Sequence, residues 1–131
     1  IIDGGDYPML ETITDSAFRG FAEQLTMSGE FPSLVTIGDN AFDGAQNVGG
    51  SVNLDGLSAL TTIGQFAFRG FRGTLTISGT VSSLATIGQS AFEFSGNDSS
   101  SVNLAGLSVL TTIENDAFRG FKGKMNISRT I

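Results

Sequence analysis

The sequence predicts a β-rich repeat solenoid of about five units of 24 or 26 residues, and three observations carry that prediction. Five segments share the pattern Leu-x-Thr-Ile, at 10–13, 34–37, 60–63, 84–87 and 110–113. Each is followed at a fixed offset by an Ala-Phe pair: Ala17-Phe18, Ala41-Phe42, Ala67-Phe68, Ala91-Phe92 and Ala117-Phe118. Successive units are spaced by 24, 26, 24 and 26 residues, so a 50-residue double unit is superposed on the single one. A fixed period in this range marks stacked units, none of which can bury its apolar face alone. The length of 131 residues sets the expectation of one domain, over 1–131.

The first element of a unit is a short alternating run: Leu25-Thr26-Met27, Val52-Asn53-Leu54, Leu75-Thr76-Ile77, Val102-Asn103-Leu104 and Met125-Asn126-Ile127. Alternation of period two turns the outer residues inward and the middle residue outward, which describes a strand. The second element is Leu-x-Thr-Ile, another extended stretch, turning at a following Gly in three of the units (Gly38, Gly64, Gly88). The third is the polar x-x-Ala-Phe segment, short enough for one helical or 3₁₀ turn. Gly20, Gly44, Gly70 and Gly120 after the Ala-Phe pairs suit a turn with positive φ. The expected solenoid is right-handed, α/β or β/3₁₀. Stacking places Phe18, Phe42, Phe68, Phe92 and Phe118 in one buried spine, a gross gain on the order of 10 kcal/mol before chain entropy is subtracted. The extra residues of the longer units fall in Gln46-Asn47-Val48-Gly49-Gly50 and Gly96-Asn97-Asp98-Ser99-Ser100, which read as polar insertions.

Composition narrows the chemistry. There is no His and no Cys, which removes His-dependent triads, thiol nucleophiles, disulfides and thiolate or imidazole metal sites. A net charge of -6 argues against a surface built to neutralise nucleic-acid phosphates. No run approaches the length that spans a bilayer as a helix. No cofactor is expected.

The recurring Leu-x-x-Ile-Gly-x-x-Ala-Phe resembles the BspA-like, or Treponema-type, leucine-rich repeats, from about Leu10 to Ile127. Three positions depart from the family pattern. Where the family often has Cys after the Phe, this chain has Phe21, Ala45, Phe71, Ser95 and Phe121; where it often has Pro after the first strand stand Ser28, Asp55, Ser78, Ala105 and Ser128. Ala22, Gly49, Arg72, Ser99 and Lys122 replace a Leu ahead of that strand, changes expected to shorten it. The resemblance implies a secreted or cell-surface protein of bacteria or microbial eukaryotes that adheres to, or recognises, host or matrix proteins.

The candidate binding face is the outward column Thr26, Asn53, Thr76, Asn103 and Asn126, flanked by Ser51, Ser101, Asp55 and Ser78. This field of small hydroxyls and amides is either a face for a protein or glycan ligand or simply the solvated side of a sheet. Thr12, Thr36, Thr62, Thr86 and Thr112 form a second ladder, read as a β-stabilising stack with ice binding as a remote alternative. Arg19, Arg69 and Arg119 recur 50 apart and are expected to cover the Phe spine and meet carboxylates such as Glu23 or Asp43. Asp3-Gly4-Gly5-Asp6 and the Asp39 to Gly44 segment faintly suggest calcium loops, without EF-hand spacing, and read as turns. Asn97 and Asn126 open glycosylation sequons, the first of them in a polar insertion.

No clear polar capping unit is visible at either end, with Tyr7-Pro8 a possible partial cap. The chain therefore reads as a segment of a longer array or as a unit that stacks end to end on copies of itself. The functional expectation is a non-enzymatic, extracellular or cell-surface recognition module acting in adhesion. The alternative is a structural subunit of a filament or sheet.

Overall fold

The computed structural model describes residues 2–3, 9–28, 30–45, 49–78 and 81–127. The Asp3 to Asp6 loop beyond Asp3, Tyr7-Pro8, the first insertion at 46–48 and Ser128 lie outside them. The chain winds as a β-solenoid with two parallel sheets. Strands β1 (Ile2–Asp3), β3 (Thr26–Ser28), β5 (Ser51–Asn53), β7 (Thr74–Ile77), β9 (Gly96–Asn103) and β11 (Lys122–Asn126) form the six-stranded sheet, in that order. Strands β2 (Thr12–Ile13), β4 (Thr36–Ile37), β6 (Thr62–Ile63), β8 (Thr86–Ile87) and β10 (Thr112–Ile113) form the five-stranded sheet. Every pairing joins one rung to the next, in parallel, as a solenoid requires.

The expected single helical or 3₁₀ turn does not form; among the described residues there is no helix. The x-x-Ala-Phe segment is a run of turns whose amides divide their work. In the second rung Ala41, Asp43 and Ala45 donate back within the rung, to Gly38, Asn40 and Phe42 carbonyls. The intervening Asn40, Phe42 and Gly44 donate forward, to Gln65, Ala67 and Arg69 carbonyls, at 2.9, 2.7 and 2.8 Å. A helix would spend all of these donors inside one rung. The turn ladder spends half of them between rungs, which gives the stack a third hydrogen-bonded side.

This alternation needs a left-handed residue at two places per rung. Gly20, Gly44, Gly70 and Gly120 supply one, with φ between 65° and 69°, as their spacing predicts. In the fourth rung Phe94 takes that place at φ 52°. The other column is Ser16, Asn40, Phe66, Ser90 and Asp116, all at positive φ, two residues before the Phe of the spine. Asn, Asp and Ser tolerate this region through local hydrogen bonding; a phenylalanine there is an outlier.

The apolar faces meet in one core. Phe42, Phe68 and Phe92 are fully buried, and Phe18 and Phe118 close the row partly buried. Neighbouring rings stack nearly parallel, with centroids 5.1, 4.8, 5.2 and 5.1 Å apart. Phe21, Phe71 and Phe121 stand edge-on to this row in alternate rungs. Between them the same position holds Ala45 and Ser95, both fully buried, and Phe71 reaches across Ala45 to Phe42 at 6.4 Å. A large residue in alternate rungs, with a small one between, fits the ring spacing and follows the same 50-residue period.

Gly38, Gly64 and Gly88 are required by closeness. A Cβ on Gly88 would lie 2.6 Å from the Gln65 amide nitrogen and 2.7 Å from the Gly64 carbonyl carbon. Rungs touch here backbone to backbone.

Candidate functional site

The six-stranded sheet turns its polar residues outward, as alternation requires. Leu25, Met27, Val52, Leu54, Leu75, Ile77, Val102 and Leu104 are buried behind it. Thr26, Ser51, Asn53, Thr74, Thr76 and Ser101 are half-buried on the face, and Asn103, Lys124 and Asn126 are exposed there. The members of the expected column do not share one register. Thr26 stands opposite Ser51, which stands opposite Thr74. Thr76 stands between Asn53 and Ser101, and Asn103 opposite Asn126. The column breaks at two pairings, each by a step of two: Met27 rather than Leu25 pairs with Val52, and Ile77 rather than Leu75 pairs with Val102. The result is a staggered field rather than a single file.

Two of the face's amides are committed to the fold. Asn53 Oδ1 accepts from the Asp55 amide at 2.9 Å, and Asn103 Oδ1 from the Ala105 amide at 3.0 Å. Each closes the turn that follows its strand. Asp55 and Ser78 lie half-buried at the rim, with Asp55 Oδ1 buried. The hydroxyls of Thr26 and Thr76 project from the middle of the face without such a turn to close.

The second insertion corrects the sequence reading. Gly96 to Ser100 is the first part of β9, the longest strand, with a register shift opposite Lys122–Lys124. Arg72, two residues ahead of the four-residue β7, and Lys122, itself the first residue of the five-residue β11, stand where the family has Leu, and neither strand is shortened. Asn97 lies half-buried in β9. Its Nδ2, the atom a glycan would modify, donates to Thr74 Oγ1 at 3.1 Å, and its Oδ1 accepts from the Ser99 amide at 3.0 Å. Asn126 is exposed in β11; its sequon ends on Ser128, outside the described residues.

On the five-stranded sheet Thr12, Thr36, Thr62, Thr86 and Thr112 pair in one unbroken register. Thr61 Oγ1, beside this row, donates to the Val35 carbonyl of the preceding rung at 3.2 Å. A cleft of about 290 Å³ runs beside them past Asp39, Gly64, Gln65, Gly88 and Glu114. Its carboxylates are engaged: Asp39 Oδ1 accepts from the Gln65 amide and Glu114 Oε2 from the Gln89 amide. Among the described residues no three carboxylates gather as a metal site.

The residue after each spine phenylalanine forms a ladder of alternating charge: Arg19, Asp43, Arg69, Glu93, Arg119. Arg69 binds Asp43 through both carboxylate oxygens at 2.9 Å, and Arg19 approaches Asp43 from the rung before at 3.4 Å. Arg119 lies 3.8 Å from Glu93. Asp43 is thus the partner of two arginines, one of the carboxylates expected; Glu93 is the member sequence reasoning missed, and its place one residue past Phe92 was the available signal. The hydrogen bonds it donates to the Asp43 carboxylate hold the Arg69 guanidinium above the ordinary arginine range, against the opposing effect of burial, and the charges of Asp43 and Glu93 add to it. Arg69 also lies over the Phe66 ring at 4.4 Å.

Among the described residues no helix is long and apolar enough to cross a membrane. The chain matches the family model of the BspA type leucine rich repeat region, in six copies over residues 11–127. No curated protein and no solved structure matches it. With the matched region covering most of the chain and each rung built from the recurring Leu, Ile and Phe, the protein belongs to the BspA-type leucine-rich repeat family.

Proposed function

We propose that this protein is a non-enzymatic recognition module of the cell surface or extracellular space, acting in adhesion by binding a protein or glycan through the outward face of the six-stranded sheet. The observation that carries the reading is a field of hydroxyl and amide groups, centred on Thr26, Thr76 and Ser101, held on short strands whose inward neighbours are buried. Such groups offer donors and acceptors at fixed spacing on a rigid scaffold. Membership of a repeat family whose solenoids typically act as protein-interaction scaffolds, and whose members are often surface-associated, supports it.

Thr26 and Thr76 are the residues to change, because they sit in alternate rungs and do not close a turn. The T26K/T76K variant should lose solid-phase binding to immobilised matrix glycoproteins while still unfolding cooperatively, at a stability cost of about 1 kcal/mol per site or less, the span of strand propensity at half-buried positions. Undiminished binding by that variant would rule out this face.

A second reading, end-to-end assembly, has its own observation. Ile113, Met125 and Ile127 of the last described rung are exposed where Ile87, Val102 and Leu104 of the preceding one are buried. A cleft of about 220 Å³ opens there between Leu104, Leu110, Ile113 and Ile127. Any further rung would cover it; one supplied by a second copy would repeat the contact. Sedimentation velocity at micromolar concentration should then show growing oligomers; a monomer at all concentrations contradicts this reading and leaves the first intact.

A further inference from the structure

We infer that the turn edge of the solenoid carries a second interaction surface, centred on Phe94, that takes an acidic protein segment with an apolar side chain at its centre. The backbone carries the first part of the argument. Phe94 stands in the column that is Gly20, Gly44, Gly70 and Gly120 in the other rungs, and it holds their left-handed conformation at φ 52°. A side chain with a Cβ is strained there, a cost glycine avoids. Burial does not offset it, because the residue is 57% exposed. Its ring lies over Gly120 of the next rung, close enough that a Cβ on that glycine would collide with it. The ring is therefore seated and presented rather than packed away.

Charge carries the second part. The described cations Arg19, Arg69, Arg72, Arg119, Lys122 and Lys124 all fall in the segments that run from a spine phenylalanine into the six-stranded sheet. The Phe94 segment lies between two such stretches. Its neighbours Glu93 and Gly96 are bonded to Gly70 and Phe71 of the rung before, and Phe94 and Ser95 to Arg119 and Lys122 of the rung after. The Arg69 to Arg72 stretch thus runs along one side of the Phe94 segment and the Arg119 to Lys122 stretch along the other, with the Arg119 guanidinium 5.7 Å from the ring centroid. The paired carboxylates lie underneath: the Asp43 and Glu93 side chains are 8% and 14% exposed, against 61% for Arg19 and 63% for Arg119. Of the exposed carboxylates in these segments, Glu23 is in the first rung and Asp98 rides on the irregular stretch of β9. A chain of net charge -6 so presents a local positive edge around one exposed aromatic ring.

Aromatic residues and arginine are the types that anchor protein interfaces, and the strand face lacks them. Complementarity then asks for carboxylates flanking an aliphatic or aromatic side chain. A nucleic acid is the poorer fit, because a single ring offers no run of stacking platforms and the overall charge repels a polyanion. This surface adjoins the strand face at β11 but includes neither Thr26 nor Thr76, so its success or failure is read independently.

Fluorescence anisotropy tests it with three labelled probes: a dodecapeptide alternating glutamate and leucine, its lysine–leucine counterpart, and oligothymidylate. The acidic peptide should bind, more weakly as salt rises, and the other two should not. Phe94→Gly should weaken binding at least tenfold with a melting temperature equal to or above the parent's, because glycine suits this φ. R72E/K122E, which leaves the Arg–carboxylate ladder intact, should abolish binding, and T26K/T76K should leave it unchanged. Wild-type affinity in both Phe94→Gly and R72E/K122E, failure of the acidic peptide to bind, or tighter binding of oligothymidylate would each overturn the proposal.

Discussion

At the residue scale, glycines that look alike in the sequence do different work. Gly44 is at φ 66° with open space where a Cβ would go, whereas Gly88 has the neighbouring backbone within 2.7 Å of that point. Gly44→Ala should therefore cost about 1 kcal/mol, the price of the conformation alone. Gly88→Ala should cost about 2–3 kcal/mol, because two rungs must part; urea unfolding of both variants measures the difference, and equal costs would contradict the contact. Asp43 is the other telling residue. It is buried and bonded to two arginines, so Asp43→Asn should lower stability by about 1–2 kcal/mol in thermal unfolding, less than a fully enclosed pair because Arg69 remains partly exposed. The Arg69 contribution has a definite sign. A guanidinium raised above its usual value contributes stability that is present below the ordinary arginine range and is lost as pH rises through its own raised value. The recurrence of Arg and Asp one residue past the spine phenylalanine was readable. Phe66 and Phe94 in the left-handed region were not, because propensity assigns such places to Gly, Asn or Asp, and both rungs break that rule.

At the element scale, strand alternation and the Phe spine were legible because burial has a period and periods survive in a sequence. Leu25-Thr26-Met27 and Leu75-Thr76-Ile77 are buried at their ends and open in the middle, as the pattern demands. The turn segment was misread as helical because a short polar stretch before Ala-Phe has the same composition either way. What decides is whether its amides bond within a rung or between rungs, and that depends on the neighbour. The insertion at 96–100 became strand for the same reason: the Gly96 amide finds the Phe71 carbonyl and Ser100 Oγ accepts from the Leu75 amide, both one rung away. Register along the six-stranded sheet was equally hidden, since alternation fixes which face a residue joins but leaves a step of two undetermined. The spine yields its own test. Phe68→Ala should cost about 3–5 kcal/mol, because the ring is fully buried with stacked partners on both sides. Phe118→Ala, at the partly buried end of the row, should cost clearly less in the same denaturation experiment.

At the scale of the whole molecule, each rung contacts its sequence neighbours, and stability is a sum of rung and interface terms. That architecture keeps out of the core those outward side chains that close no turn and join no ladder, so they can be altered without unfolding the stack. It is why T26K/T76K should affect binding far more than stability. The strand face was legible as a face; that Asn53 and Asn103 close turns was not, since an amide reads the same whether it bonds to the chain or to a ligand. Successive rungs are joined through the turn ladder over one shared aromatic core. Native-state hydrogen exchange followed by NMR tests it most directly. The amides of Phe42, Phe68 and Phe92, which donate to Ala67, Ala91 and Ala117 carbonyls at 2.7, 2.6 and 2.7 Å, should be among the slowest to exchange and should open together. Exchange of those three amides at the rate of an unstructured chain, while the strands remained protected, would contradict it.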